Sequence, residues 1–407
     1  MHILLVTYEF PPAMATGGIG SYMNHLANLL YRKGHKVSVI SATYYHNKES
    51  IVQREFCINY LVPVADPNQF RARALAVFEQ YFNAHEVDLM ESPEVGACGL
   101  DIKLKYPFIP LLVKMHTPGV LITKVSNTYQ PFLTKLRFVA GAFLRGRIDF
   151  GYWNKTDSNK HQNPEYIICT QADLILTPSK ALRDWGISYW KLPQEKIKLL
   201  ANPFTADSEL FQFPIDRETK TICFVGKLTI LKGMFTFTPA LKIILEQHPD
   251  YSAIIIGRDE SVSEEMPSMK GWMQQELRTV AKRVRFTGAL TGAQVKQELA
   301  KSDIAVVPSL WENYPTVVLE AMAAGCAVAA SDRGGIPEII KDRQTGLLFE
   351  PKHVSSIVNS INELITNKVF RLQIATAGRK KIQNMNNELF ILETESIYRS
   401  VMKIPVP

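Results

Sequence analysis

Ser309-Leu310-Trp311-Glu312-Asn313-Tyr314-Pro315-Thr316-Val317-Val318-Leu319-Glu320-Ala321-Met322-Ala323-Ala324-Gly325 follows the apolar run Ile304–Val307. That run suits a buried strand, Pro315 suits a first helical position, and Gly325 suits a helix stop. The pattern predicts strand, loop and helix, with Glu312 in the loop and Glu320 in the second helical turn. Between the two carboxylates the helix N-terminus offers free N–H groups and a partial positive charge. One carboxylate can then accept the hydroxyls of a sugar and the other those of a ribose, while the amides of Thr316 and Val317 take a phosphate. A solvated pair of glutamates is the plainer reading of the same residues.

The same alternation of strand and helix extends in both directions, which predicts parallel sheets with helices on both faces. Toward the C-terminus come strand Ala327–Ala330 and helical patterns over His353–Val401. Toward the N-terminus come helix Thr291–Lys301, strands Val284–Thr287 and Tyr251–Ile256, helix Gly233–Gln247 and strand Thr221–Val225. A polar stretch from Asn202 to Asp216 separates these from an earlier set: strands His2–Thr7, Lys36–Ala42, Val87–Glu91, Ile109–His116, Asp173–Thr177 and Lys196–Leu200. The fold class is therefore α/β, two doubly wound Rossmann-like domains. The expected limits are 1–205, with an insertion at 118–164 and a C-terminal helix 387–407 crossing back, and 206–386. Such domains hold ligands at the carboxyl ends of their strands.

Composition agrees with a folded chain: 407 residues, 46% apolar, 21% charged, with 22 Gly and 23 Pro. Cys57, Cys98, Cys169, Cys223 and Cys326 lie far apart with no Cys-x-x-Cys pair, which argues against a disulfide frame or a structural zinc site. No apolar run reaches the roughly 18 residues of a membrane span, so a cytoplasmic location is expected. The net charge of +7 is uneven: residues 1–201 hold 22 Lys+Arg against 16 Asp+Glu. Between 103 and 160, ten basic residues face only Asp149 and Asp157. Within 132–147, apolar residues at helical spacing are flanked by Lys135, Arg137, Arg145 and Arg147. An interfacial helix docking on an anionic membrane, or on a lipid-linked acceptor, is one reading; a packed helix with a solvated basic face is the other. No nucleic-acid-binding module accompanies the patch, so nucleic acid is not an expected partner.

Two further strand-to-helix loops are candidates. Pro11 to Gly20 contains Gly17 and Gly18, where backbone can approach a phosphate at a helix N-terminus, though a tight turn needs the same glycines. Gly226-Lys227-Leu228-Thr229-Ile230-Leu231-Lys232-Gly233 places two lysines five apart, able to close on a diphosphate or simply to be solvated. The Walker and Gly-x-Gly-x-x-Gly spacings are absent from both.

Glu312-Asn-Tyr-Pro-Thr-Val-Val-Leu-Glu320, with Ser331-Asp332-Arg333-Gly334-Gly335, Thr345-Gly346-Leu347 and Gly226-Lys227…Lys232-Gly233, resembles the signature of retaining glycosyltransferases of family four. That family has the GT-B fold, two such domains facing each other across a cleft. The resemblance implies a nucleotide-diphosphate sugar donor, UDP or GDP by family, and a glycan, glycolipid or other hydroxyl acceptor. It implies that Lys227 and Lys232 bind the diphosphate with Thr316, Val317, Gly17 and Gly18, that Glu320 holds the ribose, and that Glu312 and His116 are catalytic, touching the transferred sugar. A strand-end histidine such as His116 is often no more than a hydrogen-bonded structural residue. None of the 14 aspartates lies two residues from another, so metal-independent transfer with no cofactor is expected. A phosphorylase, an epimerase or a non-catalytic nucleotide-sugar-binding subunit are the other readings.

Overall fold

A computed structural model describes residues 1–14, 17–44, 48–64, 69–129, 160–262 and 267–402. The basic piece 132–147 lies outside these residues. The chain divides into two compact units: Met1–Gly119 with Asp157–Pro203 and Asn386–Pro407, and Val120–Thr156 with Phe204–Met385. The divide falls at 203/204, two residues before the expected 205/206, and the described residues 120–129 group with the second unit.

In the first unit the described strands are β1 (His2–Thr7), β2 (Lys36–Thr43), β3 (Ser50–Gln53), β4 (Ile58–Pro63), β5 (Leu89–Pro93), β6 (Leu111–Lys114), β7 (Leu174–Thr177) and β8 (Ile197–Leu199). They form one sheet in the order β3-β4-β2-β1-β5-β6-β7-β8. All pairings are parallel except β3 with β4. That hairpin went unread because β3 is an exposed edge strand whose Ser50, Ile51, Val52 and Gln53 carry no buried face to imprint a pattern. The helices along this part of the chain are α1 (Gly18–Arg32), α2 (Phe70–Tyr81), α3 (Leu100–Lys105), α4 (Gly119–Tyr129), which from Val120 on groups with the second unit, α5 (Pro164–Gln171) and α6 (Lys180–Trp185). Helix α1 buries Tyr22, Met23, Leu26, Ala27 and Leu30, spacings of three and four that draw one apolar stripe against the sheet.

The second unit holds β9 (Thr221–Val225), β10 (Ser252–Ile256), β11 (Val284–Gly288), β12 (Ile304–Val307), β13 (Ala327–Ser331) and β14 (Leu347–Phe349), ordered β11-β10-β9-β12-β13-β14 and parallel throughout. Strands β12 and β13 are buried along their whole length. Helices on both faces exclude water from both sides of a strand, so the sequence reads as continuous apolar runs rather than alternation. Its helices are α7 (Met234–Gln247), α8 (Met269–Glu276), α9 (Gly292–Ala300), α10 (Thr316–Ala323), α11 (Ile336–Ile339), α12 (Val354–Thr366) and α13 (Lys368–Gln383).

The last helix, α14 (Asn387–Met402), belongs to the first unit. Phe390, Ile391, Ile397 and Tyr398 pack with residues of α1, β1 and β2. Burial of each such side chain contributes roughly 1.5–3 kcal/mol as an upper bound. Glu388 pairs with Lys33 at 2.8 Å and Glu395 with His35 at 2.7 Å. Among the described residues no helix is long and apolar enough to cross a membrane.

In each unit the strand order reverses beside the first strand of its sheet in sequence: β2-β1-β5 in the first, β10-β9-β12 in the second. Reversal sends neighbouring loops to opposite faces and opens a crevice at the carboxyl ends of the strands. The loops after β1, β5, β9 and β12 border those two crevices, and they carry Gly17, Glu94, Lys232 and Glu312.

Candidate functional site

The second unit's crevice is built from backbone packed too closely for side chains. Gly257, at φ +151°, sits where a Cβ would lie 1.8 Å from the Gly226 carbonyl oxygen, and Gly233, at φ +76°, would place one 2.0 Å from the Pro308 oxygen. Only glycine satisfies both the left-handed backbone and the contact. These approaches stack the loops after β9, β10 and β12, and the Gly226 N–H donates to Ile256 O at 2.9 Å. The Leu310 N–H donates to Leu231 O at 2.7 Å, tying the lysine loop to the glutamate loop.

On this frame Lys232 lies with Cδ and Cε 3.8 Å from the position of a Gly226 Cβ, folded back over the glycine. Its ammonium pairs with Glu312 Oε1. Ser309 Oγ donates to the same oxygen at 2.8 Å, and Ser331 Oγ donates to Ser309 O at 2.5 Å. The Glu312 backbone is held separately, its carbonyl accepting the Gly335 N–H at 2.7 Å. Lys227 is exposed, with no ion-pair partner among the described residues. Helix α10 begins at Thr316 with Pro315 before it, no capping side chain and no acidic residue in its first turn. Its first amides therefore keep their hydrogen-bonding capacity and the dipole's positive end. Thr316 is exposed and Val317 half-buried.

Glu320 lies one turn further along α10. Burial pushes its carboxyl up, with Lys296 pulling it down less strongly. Charging Glu320 is thus harder in the folded chain than in the unfolded one. The fold loses stability as pH rises above 4.5, the ordinary value, and through the raised one. Glu320→Gln is expected to remove that component: in urea unfolding across this range, wild type should lose stability relative to the variant as pH rises. Parallel curves would contradict the assignment.

In the first unit, Gly17 and Gly18 open α1, but the amide site is already filled. The Glu9 carboxylate accepts the Gly17 N–H at 3.0 Å and the Gly20 N–H at 3.4 Å. A phosphate at this helix N-terminus would have to displace Glu9 or bind beside it against like charge. Gly18 faces open space.

His116 follows β6. Its backbone N–H donates to both oxygens of the buried Glu94 at 2.8 Å. Its Nδ1 lies 3.0 Å from Lys114 O, and a carbonyl only accepts, so Nδ1 carries the proton. The ring's other nitrogen, Nε2, is the one left to meet a ligand. That nitrogen is shielded and has no partner among the described residues.

The structure brings Lys232 and Glu312 into direct contact and places Lys227, Thr316, Val317 and Glu320 on the same set of loops and helix. Gly17, Gly18 and His116 belong to the other unit, Gly17 bonded to Glu9 and His116 to Glu94, two glutamates that no sequence motif singles out. Glu9 and Glu94 had a signal only in hindsight: each follows the last residue of a strand by no more than two positions, where sheet crevices open. Ser309 had none, since its role depends on the loop's path. Among the described residues no group of three or more His, Cys, Asp or Glu is placed to hold a metal ion.

Two parallel-sheet Rossmann-like units, one with a lysine–glutamate pair and bare helix amides at its strand ends, define a class: the GT-B glycosyltransferases. Residues 16–207 match the family Glycosyltransferase Family 4 and residues 206–381 match Glycosyl transferases group 1. The chain belongs to these glycosyltransferases. It is 27% identical to an uncharacterized glycosyltransferase of Methanocaldococcus jannaschii over 99% of both chains. In fold it is similar to the sucrose-phosphate synthase of Thermosynechococcus elongatus, with a TM-score of 0.74, 19% identity and 99% of both chains covered. Anabaena HepE, solved in complex with UDP-glucose, gives a TM-score of 0.66 at 19% identity, covering 98% of this chain and 100% of HepE.

Proposed function

We propose that this glycosyltransferase moves a sugar from a nucleotide-diphosphate donor to a hydroxyl of a glycan or lipid-linked acceptor, with retention of anomeric configuration and without a metal ion. The observation that carries this reading is the Lys232–Glu312 pair at the second unit's crevice, beside exposed Lys227 and the uncapped start of α10. The two lysines and the amides of Thr316 and Val317 supply fixed positive charge where the departing diphosphate gains negative charge. Lysine at 227 contributes a point charge rather than a fork of donors. Glu312 accepts hydroxyls of the sugar, Glu320 those of the ribose, and His116 offers Nε2 to a sugar hydroxyl. In the transfer, the bond from the sugar's anomeric carbon to the phosphate oxygen breaks and one to the acceptor oxygen forms on the same face. The acceptor's proton passes to the departing phosphate. The UDP-glucose held by Anabaena HepE supports a uridine donor, with a guanosine donor as the family-level alternative.

The test is thermal unfolding with UDP, GDP, ADP, CMP and their sugar conjugates, each with EDTA and with magnesium. Ligand at 100 times its Kd stabilises the native state by about 2.7 kcal/mol. The expected result is a rise in Tm with one base, equal in EDTA and magnesium, and lost in Lys232→Ala. A rise that needs magnesium overturns metal independence. No rise with any nucleotide overturns the donor site.

A further inference from the structure

We propose that Tyr398, on the C-terminal helix, is a positioning residue for His116, acting through the Glu91 carboxylate and the Tyr22 ring. This rests on the reading above, in which His116 meets the transferred sugar.

The links are short and buried. Tyr398 OH donates to Glu91 Oε2 at 2.5 Å, and Tyr22 OH donates to Glu91 Oε1 at 2.8 Å. Glu91, Lys114 and Tyr398 have no exposed surface, and Tyr22 has 3%. The Tyr22 and His116 rings meet edge to face, with centroids 5.6 Å apart at 75°. Lys114 Nζ lies 5.0 Å from the Tyr22 ring centroid and donates to Leu200 O at 2.5 Å. The carbonyl of that same Lys114 accepts from His116 Nδ1. The imidazole is thus held by two residues of one buried cluster, Tyr22 at its ring and Lys114 at its proton.

Both glutamate oxygens are occupied by phenols, and one phenol comes from a helix 307 residues away in sequence. Burial pushes Glu91 up and Lys114 down to about 7, and the other charged groups acting on them are Glu94, Glu393 and His116. In surroundings this dry, deleting one donor leaves an unsatisfied acceptor that the cluster must rearrange to meet. The remaining phenol belongs to Tyr22, so the rearrangement falls on the ring that braces His116. The helix has other anchors, among them the His35–Glu395 contact, that do not enter the cluster.

The experiment compares Tyr398→Phe, which deletes a single hydroxyl, with Glu395→Ala on the same helix, in the full chain. Tyr398→Phe is expected to lower kcat for transfer about three- to tenfold with donor KM unchanged, the size of effect seen for residues acting through others. In a His116→Ala background the same change should cost nothing further. The imidazole 15N resonances of His116, assigned by their absence from His116→Ala, should shift in Tyr398→Phe and stay in place in Glu395→Ala. An equal loss in both backgrounds, unmoved resonances, or a Glu395→Ala variant that behaves like Tyr398→Phe overturns the proposal. A chain that transfers no sugar fails the functional reading alone. The resonances then decide this one, in its favour if they move and against it if they do not.

Discussion

Glu312→Ala is expected to lower kcat for transfer by about 10²–10³ while nucleoside diphosphate binding is kept or strengthened. The size is that of removing one preorganised polar contact to a transition state, about 2.7–4 kcal/mol. The direction for binding follows from the ion pair. In the unliganded chain Glu312 Oε1 holds the Lys232 ammonium, and Ser309 Oγ donates to the same oxygen. An incoming phosphate must share Lys232 with this carboxylate, and alanine removes the competitor. The loop should survive, because its path is held by the backbone bonds from Gly335 to Glu312 and from Leu310 to Leu231. Steady-state kinetics beside calorimetric titration of nucleotide reads both effects. Parallel loss of binding and turnover would make Glu312 a structural residue of the loop; full activity would remove it from the site.

Gly334→Ala should produce a large structural effect for a single methyl group, directed at Glu312. Gly334 has φ +60°, and a Cβ there would lie 2.0 Å from the Glu312 carbonyl oxygen. Left-handed backbone costs a residue with a side chain about 1–2 kcal/mol. The oxygen must also move, which breaks the 2.7 Å bond from the Gly335 N–H, worth about 1 kcal/mol. Together, about 2–3 kcal/mol lowers Tm by roughly 4–12 °C in a unit of this size. Transfer should fall with it, since the displaced residue is Glu312 itself. Gly292→Ala is the control: no atom lies within 4 Å of the added carbon, and surface changes of this kind stay within about 0.5 kcal/mol. Differential scanning fluorimetry of the two variants settles it, and equal Tm values would show that the loop yields without strain.

Much of the fold was legible because the signals are local. Strands His2–Thr7, Thr221–Val225 and Ile304–Val307 occur where their apolar runs lie, and the helix after Pro315 starts at Thr316. Three-residue β14 and the β3–β4 hairpin escaped, the first too short for a period and the second too exposed. In the site, Lys232 and Glu312 were readable because glycines and proline punctuate their loops, and such punctuation marks strand-to-helix turns wherever the sheet lies.

The chain's local order thus came from residues three to eight apart: helical stripes, buried runs, turn residues and the resemblance they carry. The partners of those residues did not. Glu94 meets His116 across 22 residues, Lys232 meets Glu312 across 80, and Tyr398 meets Glu91 across 307. Each contact is set by the order in which parallel strands lie side by side and by the helix that packs over them. Backbone propensity extends over one turn, whereas the burial that pairs a carboxylate with a particular lysine, amide or phenol exists only once the sheet has closed water out.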